Sequence, residues 1–491
     1  MPSTKKLLSI TNLKKYFPVA KSSIFQKEQL YVRANEEITL DIYEGETLGV
    51  VGESGCGKST LGRVLLQLYD QTAGTTMYYG IPRASVAPAY VTDTLRHADR
   101  YLTKLKKEQA KAEALTAKVA EAGENATFFE IQAKNLAVAE AQTTLAHIAK
   151  IMGGFLVRDS KAGAQLLCQQ AVCEERIAKL SGAVRDLRLE AESLENELSG
   201  QSEARKKRTE KALAKLRKAE HAKEAEIAVR RLSIEKLQEK IAERKAPFAE
   251  DAEFQKYEAM LDDGIDLARL KYSEMRLLRK DLQVIFQDPY SSLNPRMTIG
   301  QIIEEGLVTH RFFKDNTARS REAMKQYILS VMRQCGLQDY MIHRYPHQFS
   351  GGQRQRISIA RALAVHPKFV VCDECVSALD VSIQSQIINL LEELKEKEHL
   401  TYLFISHDLS VVRYISDRIC VMYLGNIVEL ASAATVFSDP RHPYTVALLS
   451  SIPTTDMESL SKERILLEGN IPSPIRPPSG CKFHTRCYMA C

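Results

Sequence analysis

The sequence predicts an α/β protein with a mainly parallel sheet around a glycine-rich loop. It adds a small antiparallel β lobe from the N-terminal strands, a helical lobe at about 295–350 and an inserted helical hairpin. Three observations predict this. The apolar stretch Thr47-Leu48-Gly49-Val50-Val51 runs straight into Gly52, Glu53, Ser54, Gly55, Cys56, Gly57, Lys58, Ser59 and Thr60, and then into a helical stretch, Leu61 to Leu68. A second apolar run, Phe369-Val370-Val371-Cys372, ends in two adjacent carboxylates, Asp373 and Glu374. Between them, from about 92 to 246, the composition changes to Ala, Glu, Lys, Gln and Leu with almost no proline, the texture of long helices.

A chain of 491 residues has room for two or three cores, and 44% apolar residues is ordinary for a globular protein. The balance of 68 basic against 62 acidic residues, a net charge of +6, is too small at this length to imply nucleic acid. No run approaches the ~18 consecutive apolar residues that a membrane-spanning helix needs. Lys5 and Lys6 are followed only by Leu7-Leu8-Ser9-Ile10, which is no signal-peptide core. The expectation is a cytosolic chain whose membrane role is peripheral. Most of the ten cysteines are then reduced, with Cys168, Cys173, Cys335 and Cys420 filling apolar space.

Texture divides the chain into one domain over 1–80 and 273–450, an inserted helical (coiled-coil) arm over 81–272, and a Pro- and Ser-rich tail over 451–491. Within the arm, Leu180, Val184, Leu187, Ala191, Leu194 and Leu198 alternate four and three apart, the seam of a coiled coil. Ile227, Arg230, Ile234, Leu237 and Ile241 resume a similar spacing after the basic run Arg205-Lys206-Lys207-Arg208. Gly153-Gly154 predicts the turn of one antiparallel hairpin near 153–163. Arms of ~80 residues would reach on the order of 120 Å. The alternative is a looser bundle, because Gly163, Gly182 and Gly200 interrupt the second arm.

The loop 52–60 fits the G-x-x-x-x-G-K-S pattern in its confirming context, after a strand and before a helix. Glycines let successive backbone N–H groups turn inward on a β-phosphate, and the helix N-terminus adds its positive end. Lys58 is placed to neutralise β- and γ-phosphates, and the Ser59 hydroxyl to bind Mg²⁺. Paired carboxylates at the end of a buried strand have few structural reasons to exist, since buried charge is costly. Asp373 suits the Mg²⁺ shell and Glu374 the polarisation of an attacking water.

Ser350-Gly351-Gly352-Gln353-Arg354-Gln355-Arg356 opens a helix that continues through Leu363. Here the chain resembles the ABC ATPase family, over roughly 5–80 and 275–490. The resemblance implies that Ser350, Gly351, Gly352 and Gln353 serve a γ-phosphate bound to a partner subunit, so that one chain is half of two composite sites. It implies a coupling role and Mg²⁺ contact for Gln287, an interface crossing for the loop Ser377-Ala378-Leu379-Asp380, and a γ-phosphate contact for His407. It also implies a base-stacking aromatic at Tyr16, or secondarily Phe17. The catalytic set is then Glu374, His407 and Lys58; the cofactors are ATP and Mg²⁺, with Ser59, Gln287 and Asp373 on the metal.

Finer wording points to one branch. The run Gln287–Ile299, the stretch His442–Leu449 and the tail Leu466–Cys481 look like those of oligopeptide and dipeptide permease ATPases, and the wording Tyr290-Ser291-Ser292-Leu293 suggests the second of the two subunits. That resemblance implies ATP-driven peptide import at the cytoplasmic face of the inner membrane. The implied partners are a second ABC ATPase subunit, two membrane permease subunits and an extracytoplasmic peptide-binding protein, with no nucleic acid. Cys375-Val376 stands where the family has Pro-Thr or Pro-Val, and Phe349 where leucine is customary. Many relatives carry four tail cysteines, some holding an iron–sulfur cluster. Here Cys481, Cys487 and Cys491 are three, open to a cluster or zinc with an outside ligand, or to three plain thiols. The alternative function is a coiled-coil-bearing ABC ATPase of DNA repair or chromosome organisation. In that class the coiled coil follows the glutamine loop, whereas here the insertion ends before Gln287.

Overall fold

The computed structural model describes residues 4–21, 28–198, 203–313, 318–451 and 465–490. The chain forms two compact units, one from Met1–Gly80 with Arg276–Cys491, the other from Ile81–Met275.

In the first unit, β1 (Lys6–Pro18) pairs antiparallel with β2 (Tyr31–Tyr43) and with β4 (Ala73–Tyr78). The second sheet contains β3 (Thr47–Val51), β5 (Leu282–Ile285), β6 (Phe369–Asp373), β7 (Thr401–Ile405), β8 (Arg418–Tyr423) and β9 (Asn426–Ser432). Their order is β9-β8-β3-β7-β6-β5, parallel throughout except for β9 against β8. β3, β6 and β7 are buried at every position, which is why they read as unbroken apolar runs: both faces are covered. Parallel order sends the loops after β3, β5, β6 and β7 off one edge of the sheet, where ligands of open α/β sheets bind. The helix Gly351–Leu363 buries Ile357, Ile359, Ala360 and Ala362 in the same core.

Lys368 ties together the two points where the chain leaves and rejoins this unit. Its ammonium donates to Gly80 O at 2.5 Å and its backbone N–H to Asp281 O at 2.9 Å. The Tyr78 hydroxyl donates to the Asp281 carboxylate at 3.2 Å.

The second unit is helical, but not as one hairpin. Ala98–Ala122 and Phe128–Met152 run antiparallel, joined by the pairs Lys111–Glu140 and Lys118–Glu130. Ser160–Leu198 and Glu203–Lys245 form a second antiparallel pair, laced by Arg176–Glu226, Arg188–Glu220 and Arg217–Glu195. The expected single reversal at 153–163 is therefore corrected to two shorter hairpins. Gly123, at φ 51°, stops the first helix, and a capping box between Thr127 and Glu130 starts the next. Gly182 stays inside a helix and breaks nothing. The longest arm, 43 residues, spans about 65 Å, half the reach expected. Leu180, Val184 and Ile227 do form a buried seam cluster; Ala191 and Ile241 are also buried. The Leu198 side chain and Gly200 lie outside the described residues. Phe155 and Phe254 meet edge-on at 5.9 Å in a buried core with Ile148 and Met152.

Candidate functional site

Two glycines of the loop 52–60 are required by what surrounds them. Gly52 has φ 148° and a Cβ there would lie 2.2 Å from Met422 O; Gly57 has φ 102° and its Cβ would lie 2.1 Å from Ala34 O. Side chains are excluded by sterics and by backbone conformation together. Lys58 is buried and donates to the loop's own carbonyls, Gly52 O at 2.7 Å and Glu53 O at 3.1 Å. Ser54 and Gly55 stand exposed at the loop crest, and Ser59 and Thr60 open the helix Lys58–Leu65. Burial pushes the Cys56 thiol up, so it stays an inert thiol within the loop.

The ends of β6 and β7 face this loop. Ser59 Oγ donates to Asp373 Oδ1 at 2.5 Å, and Arg63 Nη2 lies 3.5 Å from Asp373 Oδ2. Asp373 is 2% exposed. Glu374 turns the chain with φ 48°, its N–H donating to Ile405 O at 3.0 Å, so the first residue after β6 is strapped to the end of β7. A non-glycine residue there is strained, a feature common at working sites. Its carboxylate accepts from Gln287 Nε2 at 2.8 Å and lies 3.5 Å from His407 Nδ1. Ser377 Oγ closes the turn onto Glu374 O at 2.9 Å. Gln287, Glu374 and His407 thus come together, and beside them Ser59 with Asp373. The latter pair presents hard oxygens, a donor set that fits Mg²⁺. Gln287 is joined to Glu374 and not to that pair.

Ser350 caps the helix Gly351–Leu363 in a capping box with Gln353, and Ser350 and Gly351 are exposed. Among the described residues no hydrogen bond joins Ser350 or Gly351 to the loop of their own chain. A Cβ on Gly352 would lie 2.4 Å from Ile383 Cγ2, so the start of the helix Gly351–Leu363 packs on the helix Val381–Glu398. Asp380 precedes that helix, exposed and making no cap bond. Cys375 and Val376 are buried, and Phe349 fills the core at 5% exposure. A hydrogen bond with Cys375, then burial, hold the Cys372 thiol well above its ordinary value.

Tyr16 does not take its expected place. It is buried, with its hydroxyl donating to Glu36 Oε1 at 2.5 Å, and burial raises its pKa. Burial alone would raise Glu36 too, but the charge of Lys14 and hydrogen bonds from Lys14 and Tyr16 outweigh it and hold that carboxyl low. No ring face is left for a base. Phe17 is half-buried, edge-on to Tyr69 at 5.5 Å.

Sequence reasoning missed what holds Glu53. Its N–H donates to the Tyr444 hydroxyl at 2.9 Å, and its carboxylate accepts from Arg486 Nη1 and Nη2 at 2.8 and 3.1 Å. Only the idiosyncratic stretch around His442–Leu449 could have drawn attention to Tyr444. In the tail, Cys481 is exposed and Cys487 half-buried, while Cys491 lies outside the described residues. Among the described residues no three His, Cys, Asp or Glu group to hold a metal ion.

The family model for the ABC transporter matches residues 35–243 and 253–377. The chain belongs to the ABC transporter family. A second model, the C-terminal region of oligopeptide/dipeptide transporters, matches 428–491. This ABC protein is 53% identical over 233 residues to the oligopeptide transport ATP-binding protein AppF of Bacillus subtilis, covering 47% of this chain and 69% of that one. It is 53% identical over 228 residues to the oligopeptide transport ATP-binding protein OppF of Salmonella typhimurium, 46% of this chain and 67% of that one. Among solved structures, the dimeric post-hydrolysis ATP-binding cassette MJ0796 bound to ADP and Pi covers 87% of this chain at 17% identity and a TM-score of 0.43. The matches give no support to the DNA-repair alternative.

Proposed function

We infer that this chain is the ATP-binding and ATP-hydrolysing subunit that energises import of oligopeptides or dipeptides through an ABC transporter. The observation that carries this reading is the meeting of Gln287, Glu374 and His407 beside Ser59 and Asp373, in a chain whose residues 428–491 match the oligopeptide/dipeptide transporter C-terminal region.

Lys58 would exchange the carbonyls it now holds for nucleotide phosphates, and the N–H groups of 52–60 would cradle them. Ser59 and Asp373 would hold Mg²⁺, which when bound offsets charge on the phosphate oxygens. Glu374 would accept the proton of the attacking water, with Gln287 and His407 fixing its carboxylate. Phe17 replaces Tyr16 as the residue to stack on adenine.

Ser350 and Gly351 are exposed, which supports the segment Ser350–Gln353 completing the site of a second ABC ATPase, with Asp380 at the crossing. Two membrane permease subunits and an extracytoplasmic peptide-binding protein complete the assembly, with this chain peripheral at the cytoplasmic face of the membrane. Among the described residues no helix is long and apolar enough to cross a membrane.

The test is uptake of a labelled oligopeptide by proteoliposomes holding the co-purified subunits. Uptake should require ATP and be lost with Lys58→Ala; uptake indifferent to both would refute the reading.

A further inference from the structure

The turn Glu53–Cys56 of the phosphate loop is held from outside by the C-terminal region. Arg486 makes a two-pronged ion pair with Glu53 across 433 positions of sequence, at 2.8 and 3.1 Å, and its side chain is only 6% exposed. The fully buried Tyr444 hydroxyl takes the Glu53 N–H at 2.9 Å. Phe483, 1% exposed, packs between Tyr444 and Tyr423 with ring centroids at 5.3 and 5.2 Å, and its carbonyl accepts from Arg486 N at 2.9 Å. At the other end of the turn, Cys56 O accepts from Gly425 N at 3.0 Å, and the neighbouring Leu424 O accepts from the tail's Lys482 Nζ at 3.3 Å.

A carboxylate in a loop that receives a polyphosphate is an electrostatic liability, since like charges repel strongly in a partly desolvated site. Arg486 cancels it with the bidentate geometry that orients as well as neutralises. The Glu53 backbone carries two further duties, its carbonyl accepting from Lys58 Nζ at 3.1 Å and from Cys56 N at 3.2 Å. Whatever fixes Glu53 therefore fixes the turn on which Lys58 rests.

We propose that the C-terminal region is a clamp on the phosphate loop, in which Arg486 neutralises Glu53 and, with Tyr444, holds its backbone in the phosphate-binding turn. Arg486 is a positioning residue that acts through Glu53. This rests on the reading above that ATP binds over 52–60.

The experiment compares full-length wild type, Arg486→Ala, Arg486→Lys and the double variant Arg486→Ala with Glu53→Gln, each in the co-purified transporter. ATP KM, kcat and thermal unfolding are read for all four. Arg486→Ala should raise the ATP KM about ten-fold while kcat stays within about two-fold, because repulsion opposes binding and leaves the water-activating groups in place. Arg486→Lys should fall between, and the double variant should return KM to within about three-fold of wild type, the free carboxylate being gone. A double variant as weak as Arg486→Ala overturns the electrostatic clamp, as does an unchanged KM in Arg486→Ala. If Arg486→Ala unfolds, Arg486→Lys and the double variant decide the question by the same KM ordering. Wild type that fails to bind ATP, or that binds it no better than Lys58→Ala, overturns the nucleotide site itself, a different outcome from either.

Discussion

Ser59 Oγ donates to Asp373 Oδ1 at 2.5 Å, joining the start of one helix to the end of a strand 314 residues away. The bond brings a hydroxyl oxygen and a buried carboxylate side by side, the hard-oxygen donor type that would suit Mg²⁺.

Asp373→Asn removes the charge and keeps the shape. The gain in ATP affinity on adding Mg²⁺ should fall about ten-fold or more, while affinity in chelator, carried by Lys58 and the loop amides, should change little. Equilibrium nucleotide binding with and without Mg²⁺ reads both. An undiminished Mg²⁺ gain would place the ion elsewhere.

Lys482 gives the C-terminal clamp a pH signature. Burial, with Arg33 nearby and only partly offset by Glu36, brings its pKa from 10.5 down to about 8. Between those two values the unfolded chain binds more protons than the folded one, so stability rises with pH across that window. Below about 8 the folded state bears the full cost of a buried ammonium. Wild type should therefore gain about 1–3 kcal/mol relative to Lys482→Met as pH rises through the window, read from denaturant midpoints. A difference flat in pH would contradict the burial of a charged Lys482.

Lys368 bonds both Gly80 O and Asp281 O, so the two chain segments that flank the insertion meet at one residue within the ATPase unit itself. Replacing 85–270 by a short Gly-Ser linker should leave a cooperatively folding protein whose ATP affinity is within about three-fold of wild type. Calorimetry and nucleotide titration check this. Loss of folding or of affinity would make the insertion integral to the nucleotide unit.

What the sequence made legible was local in the chain. The strand–loop–helix at 47–68 and the carboxylates after Phe369–Cys372 announce themselves because strand, turn chemistry and charge are neighbours in sequence. The burial of Tyr16 was not legible, because β1 shifts register between Leu13 and Lys15 and again between Lys15 and Tyr16. Each irregularity disturbs the alternation that tells inside from outside, and Tyr16 went in. Nor was the course of the insertion. Gly123 and Gly153 are both helix stops, and which stop reverses the chain depends on what the arms pack against. The Arg486–Glu53 pair, spanning 433 positions, leaves no periodic trace at all.

Glu374→Gln, measured in the assembled transporter, tests most directly whether this chain drives transport by hydrolysing ATP at the site described. The amide keeps the size of the side chain and the neighbourhood of Gln287 and His407 but cannot take a proton from water. ATP affinity should stay within about three-fold of wild type while turnover falls by about a hundred-fold or more, and peptide uptake should stop with it. Near-normal turnover would contradict Glu374 as the base and the site as the engine of import.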